Sequence, residues 1–209
     1  EAFSQLNGQQ FDDIILDLRY NPGGYVNTSQ QLCSALAPAT AMGQPFLHMT
    51  YNDKINKTET LNFESSPLTG GASLSYQNLY VLTSGNTASA AEIVINADME
   101  GRLYQVGAAT FGKNVAQQLF TNAEAPGVEL WLTTTYLSNS QGYYDYFKNG
   151  LLPDFEIEEN YGAELGDFGS AEDQLMQPVL YRMENGSFPV VTNPDESEDA
   201  TTLTIEPDQ

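Results

Sequence analysis

Residues 78–94 constrain the fold more than any other stretch of the chain. The apolar run through Val81-Leu82-Thr83 reads as a buried strand, Ser84-Gly85-Asn86 as a tight turn, and Ala88 onward as a helix. A strand that feeds a helix through so short a turn belongs to an α/β arrangement. The rest of the chain alternates in the same way. Helices are expected over 1–10, 26–37, 88–100 and 171–184, the last with Leu175, Val179 and Met183 on one face. Strands are expected over 13–19, 45–51, 58–64, 78–83, 103–108, 115–120 and 128–136. A Ser-, Gly- and Pro-rich loop covers 65–77, and an aromatic run, Tyr143-Tyr144-Asp145-Tyr146-Phe147, either lines a groove or covers the core.

Ser89 stands where that helix begins. A hydroxyl there lies beside backbone N–H groups that have no intrahelical partner, in a field that favours negative charge. Acyl transfer needs such a place, because an oxyanion develops about 3 Å from the donors that stabilise it. The nucleophile also needs a base, and the choices are few. The G-x-S-x-G elbow is absent. The single histidine, His48, lies in the apolar strand-like run Phe46-Leu47-His48-Met49 and reads as a packed strand residue. Of the four lysines (Lys54, Lys57, Lys113, Lys148), Lys113 follows the strand-like Leu103–Gly107, which can return the chain toward Ser89.

Three motifs, in order, make the chain resemble the C-terminal processing (tail-specific) proteases, the S41 serine peptidases. They are Asp17-Leu18-Arg19-Tyr20-Asn21-Pro22-Gly23-Gly24, then Thr87-Ala88-Ser89-Ala90-Ala91-Glu92, then Gly112-Lys113 with Gln117 four residues on. Gly150-Leu151-Leu152-Pro153-Asp154 and Asp173-Gln174-Leu175 extend the likeness, which spans roughly residues 1 to 184. The resemblance implies a ClpP/crotonase-like α/β fold, a twisted sheet with packed helices. It implies Ser89 as nucleophile, Lys113 as general base and Gln117 as the residue that orients the lysine. It implies an oxyanion hole from the N–H of Ala90 and of Gly23 or Gly24, with Glu92 and Thr110 in support. No metal or organic cofactor is implied. Two departures stand out: the Ser89–Lys113 spacing is one residue short, suggesting a tight loop near Met99–Arg102, and Ala116 stands where many relatives have glycine.

A lysine works as a base only when neutral, which requires its pKa to fall from about 10.4 toward about 7–8. Desolvation does this, and Tyr104, Phe111 and Val115 are the expected apolar walls. Glu92 in direct contact with the Lys113 ammonium would hold the proton on, so Glu92 is expected to bond backbone or Thr110 instead. Asp17 and Arg19 are expected to form a strand-end ion pair anchoring the Pro-Gly-Gly turn.

With 28 acidic against 7 basic residues, a net charge of −21, nucleic-acid binding is excluded, and an anionic membrane surface would repel the chain. No apolar run approaches the roughly 20 residues that span a bilayer. The lone Cys33 excludes an internal disulfide and reads as a buried small hydrophobe. Residues 1–192 are expected to form the protease core and the acidic 193–209 a flexible tail. The resemblance further implies that the family's N-terminal strands and PDZ domain are missing from this chain. It implies a periplasmic or cell-envelope protein, with any membrane anchor in that missing segment. The expected function is a Ser-Lys serine endopeptidase that cleaves protein or peptide substrates near their C-termini through an acyl-enzyme. A non-catalytic peptide-binding relative and a crotonase-type acyl-CoA enzyme are the alternatives, the latter opposed by the shortage of basic residues for CoA phosphates. The sequence leaves the oligomeric state open.

Overall fold

The computed structural model describes residues 2–6, 8–65, 74–97, 99–122 and 124–190. It divides into two compact units, Glu1–Glu156 and Ile157–Gln209. The expected tail over 193–209 lies outside the described residues, as does most of the 65–77 loop.

The first unit is mixed α/β with two four-stranded sheets. In one, β1 (Asp13–Asp17), β4 (Asn78–Thr83), β5 (Leu103–Gly107) and the short β8 (Phe155–Glu156) run parallel in the order β1-β4-β5-β8. Leu79 through Thr83 of β4 are buried, as a central parallel strand covered on both faces requires. In the other sheet, β3 (Thr58–Asn62), β2 (Pro45–Tyr51), β7 (Glu129–Asn139) and β6 (Val115–Thr121) are antiparallel in the order β3-β2-β7-β6. Helices α1 (Ala2–Leu6), α2 (Val26–Leu36) and α3 (Ala90–Asn96) complete the unit. Cys33, Ala35 and Leu36 of α2 and Ile93, Val94 and Ile95 of α3 share one apolar core with Leu79, Val81, Phe46 and Leu137.

In this unit α3, α1 and β8 depart from expectation. Helix α3 stops at Asn96 rather than near residue 100, because Ala97 is already extended (φ −65°, ψ 139°) and the Asn96 carbonyl accepts Asn139 Nδ2 at 3.0 Å. Helix α1 ends at Leu6, with Gly8 at φ 79°. The two-residue β8 is too short to leave a periodic signal.

In the second unit, α4 (Met176–Asn185) begins five residues later than expected. The Asp173 carboxylate organises the preceding turn instead, accepting the N–H of Gly169 at 3.0 Å and of Leu175 at 3.1 Å. Leu175 and Val179 are buried as the pattern predicts, and Met183 is half-buried.

Candidate active site

The site forms where three loops leave the C-terminal ends of parallel strands. The 84–89 turn follows β4, the 18–24 turn follows β1, and the 108–114 segment follows β5. Parallel strands aim their C-terminal ends at the same edge, so loops distant in sequence meet there.

Backbone bonds lace the first two loops together. Leu18 donates its N–H to Leu82 O at 3.0 Å, and Ala88 donates to Asn21 O at 3.0 Å. The buried Thr87 hydroxyl donates to Leu18 O at 2.8 Å and accepts the Ser84 N–H at 3.0 Å. Arg19 donates through Nε and Nη2 to the Asp17 carboxylate, the shortest contact being 2.7 Å, so the expected strand-end pair is present. Gly23 adopts φ 99°. A Cβ there would come within 2.7 Å of Ala88 O and Ala90 N and 2.8 Å of Ser89 Cβ, so only glycine lets the turn lie against the Ser89 segment. A Cβ on Gly24 would meet nothing within 4 Å.

Ser89 is half-buried at the start of α3 with φ 58° and ψ −118°, a conformation that L-residues rarely adopt. Glu92 holds it there. The Glu92 side chain is fully buried and its carboxylate accepts four hydrogen bonds. Oε2 takes the N–H of Ser89 at 2.7 Å and of Lys113 at 2.8 Å; Oε1 takes the Thr110 hydroxyl and the Gly112 N–H, each at 2.6 Å. One oxygen therefore ties the Ser89 backbone to the Lys113 backbone. Glu92 meets both the backbone and Thr110. Thr110 Oγ1 also accepts the Leu151 N–H at 2.8 Å, which fixes the 108–114 segment to the chain that leads into β8. Burial pushes the Tyr146 phenol well above its ordinary pKa, and the Glu92 charge adds to the shift.

Lys113 is half-buried, and its Nζ donates to Gln117 Oε1 at 3.4 Å. Gln117 sits in β6 next to a bulge between Ala116 and Gln117, on an exposed stretch of strand. Of the expected apolar walls, Val115 is half-buried and Phe111 falls short. Phe111 is 61% exposed, because its N–H is drawn to Thr87 O at 2.9 Å and the ring is left outside. Tyr104 stacks on Tyr80 at 5.7 Å within the parallel sheet. The short spacing between Ser89 and Lys113 is taken up by a turn in which Glu100 (φ 56°) and Gly101 (φ 73°) are left-handed and Arg102 N–H returns to Met99 O at 3.2 Å.

His48 is half-buried in β2 with Nδ1 2.9 Å from Thr60 Oγ1. Cys33 is buried in α2 and has no disulfide. The aromatic run divides: Tyr146 joins the core, while Tyr143, Tyr144 and Phe147 are exposed. Among the described residues, no group of three or more His, Cys, Asp or Glu could hold a metal ion, and no helix is long and apolar enough to cross a membrane. Sequence reasoning missed Asn21 and Thr87. Their polar side chains sit in turns, where Asn and Thr are ordinary, and only their partners reveal what they hold.

A helix-start serine in strained geometry, a glycine turn packed on it and a lysine whose backbone shares a Glu92 oxygen with it thus lie together at one edge of the parallel sheet. The chain belongs to peptidase family S41, whose family model matches residues 1–157. It is 30% identical over 186 residues to the carboxyl-terminal-processing protease of Synechocystis sp., covering 88% of this chain and 40% of that protein. It is 25% identical over 189 residues to the carboxy-terminal processing protease CtpB of Bacillus subtilis, covering 88% of this chain and 35% of that one. Among solved structures, a Bacteroides fragilis protein assigned to the S41 proteases superposes with a TM-score of 0.78 at 31% identity, over 89% of this chain and 48% of that one. The photosystem II D1 C-terminal processing protease gives a TM-score of 0.58 at 25% identity, over 75% and 37%. The chain thus spans about two-fifths of the length of the curated relatives it matches.

Proposed function

We propose that the chain carries the catalytic centre of a C-terminal processing endopeptidase that works through a Ser89–Lys113 dyad. The observation that carries this reading is the shared Glu92 carboxylate oxygen, which holds the Ser89 and Lys113 backbones side by side. Ser89 is the nucleophile, Lys113 the base, and Gln117 the residue that orients the Lys113 ammonium. The Ala90 N–H and a glycine N–H of the Gly23-Gly24 turn form the oxyanion hole. Of the two, Gly24 is favoured, because the Gly23 N–H already donates to Asn21 Oδ1 at 2.9 Å.

In this mechanism, neutral Lys113 Nζ takes the Ser89 Oγ proton as Oγ bonds to the peptide carbonyl carbon. The carbonyl oxygen becomes the oxyanion, held by the two N–H groups. Collapse breaks the C–N bond, and Lys113 Nζ passes its proton to the departing amine. The acyl-enzyme on Ser89 is then attacked by water, deprotonated by Lys113, which frees the new C-terminus and restores the hydroxyl. Since Lys113 is only half-buried, a bound peptide completes its desolvation.

The names of the relatives point to protein C-terminal segments as substrates. The periplasm or cell envelope is the compartment we propose, testable by fractionation. The site itself is tested by labelling with a serine-directed fluorophosphonate and mapping the adduct by mass spectrometry. The expected result is one adduct on Ser89 that disappears in Lys113→Met. Modification elsewhere, or at Ser89 independent of Lys113, contradicts the dyad.

A further inference from the structure

We propose that Asn21 is a positioning residue that sets the oxyanion hole, an inference that rests on the peptidase reading above. Asn21 makes three bonds in three directions. Its N–H donates to Leu18 O at 3.1 Å, tying it to the end of β1. Its carbonyl accepts the Ala88 N–H at 3.0 Å, one residue before Ser89. Its side-chain Oδ1 accepts the Gly23 N–H at 2.9 Å, a local turn of the kind Asn favours. The residue therefore locks the Gly23 turn to the nucleophile loop, and it does so at the point where a Cβ on Gly23 would strike Ala90 N and Ser89 Cβ.

The side-chain bond has a chemical consequence. The Gly23 N–H is already engaged by Asn21 Oδ1, so the Gly24 N–H is the donor left to pair with that of Ala90. Removing the Asn21 carboxamide frees the Gly23 amide and loosens the path of the chain into Gly24. A hydrogen-bond donor displaced from an oxyanion fails in the transition state more than in the ground state, so the loss falls on kcat rather than KM. Abolishing such a donor outright costs about 10²–10³ in kcat. A donor that is still present but mobile costs less, about tenfold.

The test compares wild type, Asn21→Ala and Asn21→Ser, the serine keeping an uncharged acceptor in the turn. Backbone amide exchange is followed by NMR at Gly23 and Gly24, beside steady-state cleavage of an unstructured protein and thermal melting. The expected result is a Gly23 amide protected relative to Gly24 in wild type, unprotected in Asn21→Ala and partly restored in Asn21→Ser. The kcat should follow the same order, with KM within twofold and melting temperatures alike. Equal exchange at Gly23 and Gly24 in wild type overturns the proposal whatever the activity. Unchanged kcat in Asn21→Ala, with cleavage that still requires Ser89, overturns it and leaves the dyad standing. No Ser89-dependent cleavage in wild type overturns the peptidase reading, and with it any role of Asn21 in catalysis, while the exchange comparison still decides whether Asn21 holds the Gly23 amide.

Discussion

Replacing Glu92 with glutamine tests the buried centre of the site. The carboxylate meets four donors, two on each oxygen. A carboxamide offers one oxygen and one NH2, so one pair of donors must face a donor. The two possible orientations differ in cost. An NH2 on the Oε2 side would oppose two backbone N–H groups, those of Ser89 and Lys113, neither of which can turn away. An NH2 on the Oε1 side would oppose the Gly112 N–H, but the Thr110 hydroxyl can rotate and accept from it. The glutamine therefore takes the second orientation, leaving one buried N–H unpaired and weakening charge-assisted bonds to neutral ones. An unsatisfied buried donor costs about 1–3 kcal/mol, and bonds to a charged group exceed neutral ones by about 1 kcal/mol each. With one N–H unpaired and three bonds weakened, Glu92→Gln should then lose about 4–6 kcal/mol, a large part of a usual domain stability of roughly 5–15 kcal/mol. Glu92→Ala strands all four donors and should not fold at ordinary temperature. Urea unfolding followed by far-UV circular dichroism measures this. Glu92→Gln within about 0.5 kcal/mol of wild type would refute the reasoning, because it would mean that the four donors do not depend on the carboxylate.

Other expectations follow from the same geometry. Burial pushes the Cys33 thiol above its ordinary value of 9.0 and the Tyr76 phenol up to about 12. The unfolded chain therefore releases those protons first, and stability should fall as pH rises from about 9 to about 12, with the Tyr76 part reaching about 2–3 kcal/mol. Urea melts at stepped pH check this, and Cys33→Ala should flatten the lower part of the decline. The same burial should keep Cys33 unreactive toward a thiol reagent until urea unfolds the chain. Gly23→Ala should distort the site and lower the melting temperature, since its Cβ would strike Ala88 O, Ala90 N and Ser89 Cβ, whereas Gly24→Ala should melt like wild type. Gln117→Ala should lower kcat severalfold and leave the fold intact, because Gln117 is exposed and holds only the Lys113 ammonium.

Much of this organisation was legible in the residues, and the part that was not has physical causes. The apolar run at Leu79–Leu82 reads as a buried strand, and the turn after it puts Ser89 at a helix start. The Asp17–Arg19 pair was legible because two opposite charges flank one residue at a strand end. The end of α3 was not, because it depends on Asn139, more than forty residues away, taking the Asn96 carbonyl. The delayed start of α4 rests on a local choice that helical periodicity hides, Asp173 capping a turn through Gly169 and Leu175 rather than entering the helix. Phe111 looked like a wall for Lys113 because it is large and adjacent. Its exposure follows from a backbone bond to Thr87 that no local pattern announces. Asn21 was hidden for a related reason: an asparagine in a turn is unremarkable until its acceptor is seen on Gly23.

The most direct test of the central claim is cleavage of an unstructured protein by the wild-type protein and by Ser89→Ala and Lys113→Ala, each first shown to be folded. The account predicts fragments from wild type alone, with both variants at the level of the uncatalysed control. Equal cleavage by wild type and Ser89→Ala would contradict it.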